Sequence, residues 1–170
     1  QKALERAEQY LKDGKPNEAI IELRNALQVD KDFVPALLGL GRAYAAKDWY
    51  ADAARELSRA QTLLPDSAPV AVELGRALVE LGAWVDAEAQ GERVLSREPR
   101  SADGTYIRAA TLLGQRRLEE ALAVLEAASR SGIALTAELQ SVRSEALVLQ
   151  GKAQEAEQVY RAVIASNPKD

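Results

Sequence analysis

Apolar and small residues along this chain fall three and four positions apart, pause at a short polar stretch, and resume on the same spacing. From Val34, Leu37 is followed by Leu40, Gly41 and Tyr44, and after a break by Ala53, Leu57 and Ala60, with Pro65 closing the segment. That spacing lines one face of a helix, so each segment predicts two helices joined by a turn. One period later the same offsets hold Ala71, Leu74, Gly75, Leu78, Ala87, Gly91, Val94 and Pro99. The alanine that opens each second helix recurs as Ala19, Ala53, Ala87, Ala121 and Ala156, in three steps of 34 residues and one of 35. The extra residue falls in the loop at Ser131, Gly132 and Ile133. The pattern predicts an all-α chain of five hairpins, in units 1–33, 34–67, 68–101, 102–136 and 137–170, forming one array. Helices are expected at about 2–13, 16–29, 34–46, 49–63, 68–81, 83–96, 102–114, 117–130, 137–150 and 153–166, with no strand.

The punctuation supports this division. Gly14, Gly82 and Gly151 stand where the chain must reverse, and suit the left-handed conformation that ends a helix. Pro16 suits a first helical turn, and Ser67, Ser101 and Thr136 are placed to cap the helices after them. Gly41, Gly75 and Ala109 are expected opposite the alanines of the second helices, where small residues let two helices approach closely. Trp49, Tyr50 and Trp84, at the starts of second helices, are expected to wedge the hairpin turns. Gly91 replaces the Leu23, Leu57, Leu125 and Tyr160 of the other units, which implies a close helix approach or a soft spot.

With these residues in place the pattern resembles the tetratricopeptide repeat family along the whole chain. The resemblance implies an α-solenoid, a right-handed superhelix whose first helices line a concave face. Arg6, Arg108 and Arg143 depart from it, standing where the family prefers leucine. The stretch Ala19 to Gln28 also resembles units of bacterial tetratricopeptide lipoproteins from exosortase and exopolysaccharide systems, which implies an envelope scaffold and slightly favours a periplasmic or envelope location over the cytoplasm. The final Asn167, Pro168, Lys169 and Asp170 look like a turn into a further unit, so the sequence is expected to be part of a longer array with uncapped ends that self-associate.

Charge and composition narrow the chemistry. A net charge of −4 gives no basic field for nucleic acid or anionic lipid. No apolar run reaches the roughly 20 residues that span a bilayer, so no membrane insertion is expected from this segment. Without cysteine or histidine the chain lacks the usual nucleophiles, bases and transition-metal ligands. Glu119 and Glu120 splay apart on a helix and cannot share a proton or clamp a metal. The glycines of Gly39, Leu40 and Gly41 meet Tyr44 where a dinucleotide fingerprint needs a third. Neither an enzyme nor a cofactor is expected.

What remains is a surface for a protein or peptide. On the concave face that the resemblance implies, the fifth position of each unit gives Leu4, Leu38, Val72, Tyr106 and Ser141, and the twelfth gives Leu11, Ala45, Val79, Leu113 and Val148. The ninth gives Glu8, Arg42, Arg76, Ala110 and Glu145. The expected contact residues are Leu38, Arg42, Val72, Arg76, Val79, Tyr106 and Leu113, with the two arginines either taking a partner carboxylate or, for Arg76, pairing with Glu73 and Glu80 on its own helix. The lysine and asparagine clamp of chaperone-binding relatives is not matched, since Leu4, Glu8 and Gly39 stand at those places. A structural spacer or oligomerising array with no ligand is the alternative. The charges of the second helices, among them Glu22, Arg55, Glu56, Arg59, Glu88, Glu92, Arg93, Glu126 and Arg161, are expected on a solvated outer face.

Overall fold

A computed structural model describes residues 2–166; the expected terminal turn at Asn167 to Asp170 lies outside them. Ten helices and no strand occur among the described residues, an all-α arrangement of helical hairpins. The chain forms two compact units, one up to Ala83 and one from Trp84.

In the first unit, α1 (Lys2–Lys12) folds back on α2 (Pro16–Val29), and α3 (Val34–Ala45) on α4 (Tyr50–Leu63). The helix α5 (Ala68–Glu80) packs on α4 and α3, so that α1, α3 and α5 lie side by side. The core joins Ala7, Ala19, Leu23, Leu40, Tyr44 and Leu57, all buried. Each such leucine removed from water contributes about 2 kcal/mol. The second unit repeats the scheme with α6 (Trp84–Arg97), α7 (Ala102–Gly114), α8 (Leu118–Arg130), α9 (Ala137–Leu149) and α10 (Ala153–Ser166). Here α6 and α8 flank α7, while α9 packs on α7, α8 and α10. Val94, Ile107, Leu112, Leu125, Leu139 and Leu147 are its larger buried side chains.

The expected ends agree with the observed ones to within a residue. Ser67 Oγ, Ser101 Oγ and Thr136 Oγ1 accept hydrogen bonds from the amides of Val70, Gly104 and Leu139, satisfying donors that have no partner inside the helix. Gly14, Gly82 and Gly151 take φ of 67°, 68° and 79°. The same turn position holds Asp48 at 58° and Arg116 at 64°, which the sequence pattern did not flag. The connection from α8 to α9, residues 131–136, carries the additional residue.

Close packing sharpens the expectations and overturns one of them, at Glu56. Gly41 does allow a close approach of α3 to α4: a methyl group on it would lie 2.5 Å from Leu57 Cγ, so the glycine makes room for a leucine of α4. Gly91 does mark a close approach, since a methyl there would be 3.3 Å from Ile107 Cγ2 and 3.5 Å from the Arg108 amide nitrogen. Trp84 also packs across Gly114, at the end of α7, where a methyl would overlap the indole at 2.3 Å. Trp49 does brace its turn, its ring stacked on Tyr44 at 6.0 Å, while Lys47 lies over the indole at 4.4 Å and donates to Asn17 Oδ1. Glu56 is not on a solvated face but buried, held by Arg59 at 2.8 Å and Arg55 at 3.3 Å.

Candidate functional site

In the first unit, α1 and α3 present adjoining rows of side chains spaced by one helical turn. Leu4, Glu8 and Leu11 descend one row, and Leu38 and Arg42 the next. Between them lies a cavity of about 100 Å³ lined by these five residues and Gly39, among others. Its walls are apolar and half-buried, while Glu8 and Arg42 are exposed at its rim. Gly39 holds the floor low, because a methyl there would meet Leu23 Cδ2 at 2.9 Å.

Arg42 does not stand free. Its Nε donates to Glu73 Oε1 at 2.6 Å, which ties α3 to α5. Glu73, which with Glu80 is expected to pair with Arg76 on its own helix, accepts from Arg42 across helices, a contact that spacing along one helix cannot reveal. The pair is half-exposed, 49% on the arginine side and 24% on the glutamate side, and is worth at most about 1 kcal/mol. Val72, Arg76 and Val79 lie on α5, each half-buried.

The second unit places Tyr106 half-buried on α7, but Leu113 is only 8% exposed and has little surface to offer a partner. Its twelfth-position place carries it into the packing of α7. A wider cavity of about 570 Å³ opens elsewhere in this unit, among α6, α7, α8 and the loop after α8. Arg117 spans its edge, bound to Glu120 through two nitrogens at 2.8 and 2.6 Å, with Glu88 3.9 Å away. The hydrogen bond to Glu120 raises the Arg117 guanidinium pKa further and lowers that of the Glu120 carboxyl, so both stay charged. The sequence pattern did not assemble this cavity, although two of its features, Arg108 and the longer loop, were visible as departures from the repeat.

Among the described residues no three His, Cys, Asp or Glu side chains converge as a metal site, and no helix is long and apolar enough to cross a membrane. The tetratricopeptide repeat model matches residues 4–68, 72–132 and 108–170. The chain belongs to the tetratricopeptide repeat family. Its fold is close to that of a thermophilic tetratricopeptide protein from Thermus thermophilus, with a TM-score of 0.83, 20% identity, and 99% and 92% of the two chains covered. MamA from Desulfovibrio magneticus RS-1 gives a TM-score of 0.79 at 18% identity, over 99% and 95% of the chains. These likenesses concern the fold alone. ALBINO3-like protein 3, mitochondrial, from Arabidopsis thaliana is 36% identical over 75 residues, 44% of this chain and 13% of that protein. The chain thus spans a small part of that relative's length. Tetratricopeptide arrays are in general protein-interaction scaffolds without catalytic activity of their own.

Proposed function

We propose that this tetratricopeptide array holds a peptide or protein segment on the face that α1, α3 and α5 build in the first unit, with Leu38, Arg42, Val72, Arg76 and Val79 as contacts. The observation that carries the reading is the cavity between α1 and α3, about 100 Å³, with apolar walls of Leu4, Leu11 and Leu38 and opposite charges at its mouth. That volume suits one aliphatic side chain, whose burial is worth about 2 kcal/mol. Glu8 and Arg42 at the rim can take the N–H and C=O of the same segment. Because the Arg42 to Glu73 pair is half-exposed, a partner carboxylate can displace it at small cost.

The test is capture from native extracts with wild-type protein, with Leu38→Glu, and with an Arg42→Glu, Arg76→Glu double variant, each checked by thermal melting for a retained fold. Loss of a specific partner in the variants supports the reading; equal capture by all three overturns it. A second reading, association of copies through α10, is favoured by Tyr160 and Ile164, which are 46% and 68% exposed on that helix. Sedimentation of wild type against Ile164→Glu separates it, since only association through α10 is lost in that variant. The envelope setting rests on the resemblance of Ala19 to Gln28 and is checked by fractionating the cells of origin.

A further inference from the structure

Within the second unit, positions that depart from the repeat come together in space. Arg108 stands where the first unit has Leu40 and Leu74, both 3% exposed, and is itself exposed. Gly91 of α6, where other units have Leu23, Leu57 and Leu125, lets α7 approach closely at Ile107 and the Arg108 backbone. The lengthened loop after α8 brings Ser131 and Ile133 to the rim. Its shape is fixed by Arg100, whose Nη2 donates to the Ser131 carbonyl at 2.7 Å. Arg108, Ser131 and Ile133 line a cavity of about 570 Å³, with Leu95, Leu112 and Val124 as further apolar lining. Such a volume accepts several side chains at once.

The charges of this cavity are unevenly matched. Arg117 is satisfied by Glu120 and Glu88. Arg108 makes no hydrogen bond or ion pair among the described residues, and only its field reaches Glu120. A leucine at this place would add to the apolar lining; an unbonded guanidinium beside it selects a carboxylate next to apolar groups.

We infer that this cavity is a second docking site, taking from a partner protein a short acidic–apolar segment whose Asp or Glu carboxylate binds Arg108 while neighbouring aliphatic side chains cover Leu95, Leu112 and Val124. The site is separate from the α1/α3 face and does not depend on it. The experiment is a titration of the whole 170-residue chain, followed by amide NMR shifts, with three probes: the peptide acetyl-Ile-Glu-Leu-Leu-amide, its glutamine counterpart, and hexanoate. The glutamate peptide is expected to shift the amides of Thr105, Arg108 and Val124 and to bind at least about tenfold more tightly than the glutamine peptide. Arg108→Leu, which restores the residue type of Leu40 and Leu74 and should fold, is expected to abolish that preference; Arg42→Glu is expected to leave it unchanged. Equal binding of the two peptides, retained preference in Arg108→Leu, or shifts confined to Leu4, Leu38 and Arg42 would each overturn the proposal. Hexanoate binding as tightly as the glutamate peptide would also overturn it, by assigning the cavity to a free aliphatic acid.

Discussion

Arg116 occupies the hairpin turn between α7 and α8 with φ of 64°, where Gly14, Gly82 and Gly151 serve in other units. An L side chain in that region costs about 1 kcal/mol, because Cβ crowds the following carbonyl. Arg116→Gly is therefore expected to raise stability by about 0.5–1 kcal/mol, less than the full strain because glycine also loosens the unfolded chain; denaturant midpoints measure it, and a lower midpoint would contradict the assignment. Asp48 shares the backbone strain but has a local compensation, since its Oδ1 accepts a 2.7 Å hydrogen bond from the Tyr50 hydroxyl. Replacing Asp48 with glycine should accordingly gain less than the change at 116. Gly41 behaves in the opposite sense. A methyl 2.5 Å from Leu57 Cγ must displace a fully buried leucine, so Gly41→Ala is expected to cost about 1–3 kcal/mol despite alanine's better helix propensity.

The three hydroxyl caps are worth testing as elements, because each begins the first helix of a hairpin. Ser101→Ala removes the acceptor for the Gly104 amide, 3.2 Å away, and is expected to lower stability by about 1 kcal/mol, read from the thermal midpoint. Caps, helix ends and the longer loop were legible in the sequence because each is set by a few neighbouring residues: Pro16 starts a helix wherever it is placed in such a turn, and Ser101 needs only its own amide three residues on. What spacing could not give was the partner across elements. Nothing in the run from Val72 to Glu80 reveals that Glu73 accepts a hydrogen bond from Arg42 on α3; that contact is set by how closely α3 and α5 approach. Trp84 is similar, for its reach onto Gly114 depends on the packing of α6 against α7. Of the expected contact residues, Leu38 and Arg42 line a cavity, while Leu113 is only 8% exposed, which its register along the helix does not reveal.

At the scale of the whole molecule, a repeat array has no single centre: each hairpin is stabilised by its neighbours, so stability follows the number of sides on which a helix is covered. Among the described residues α7 buries Thr105, Ile107, Ala109, Ala110, Thr111, Leu112 and Leu113, and α3 buries Ala36, Leu37, Leu40, Ala43 and Tyr44. By contrast α10 buries Ala156 and leaves Ile164 68% exposed. Native-state hydrogen exchange should therefore show a gradient, with the amides of α3 and α7 opening only in the largest unfolding events and those of α10 opening in local ones at much lower free energy. Such a gradient would have a functional consequence. The cavity holding Arg108 is built on α6, α7 and α8, none of which is as thinly covered as α10, so the pocket should keep its shape while α10 opens and closes. If α10 proves as protected as α7, its exposed Tyr160 and Ile164 must be covered in solution, which would favour association between copies over a monomeric array.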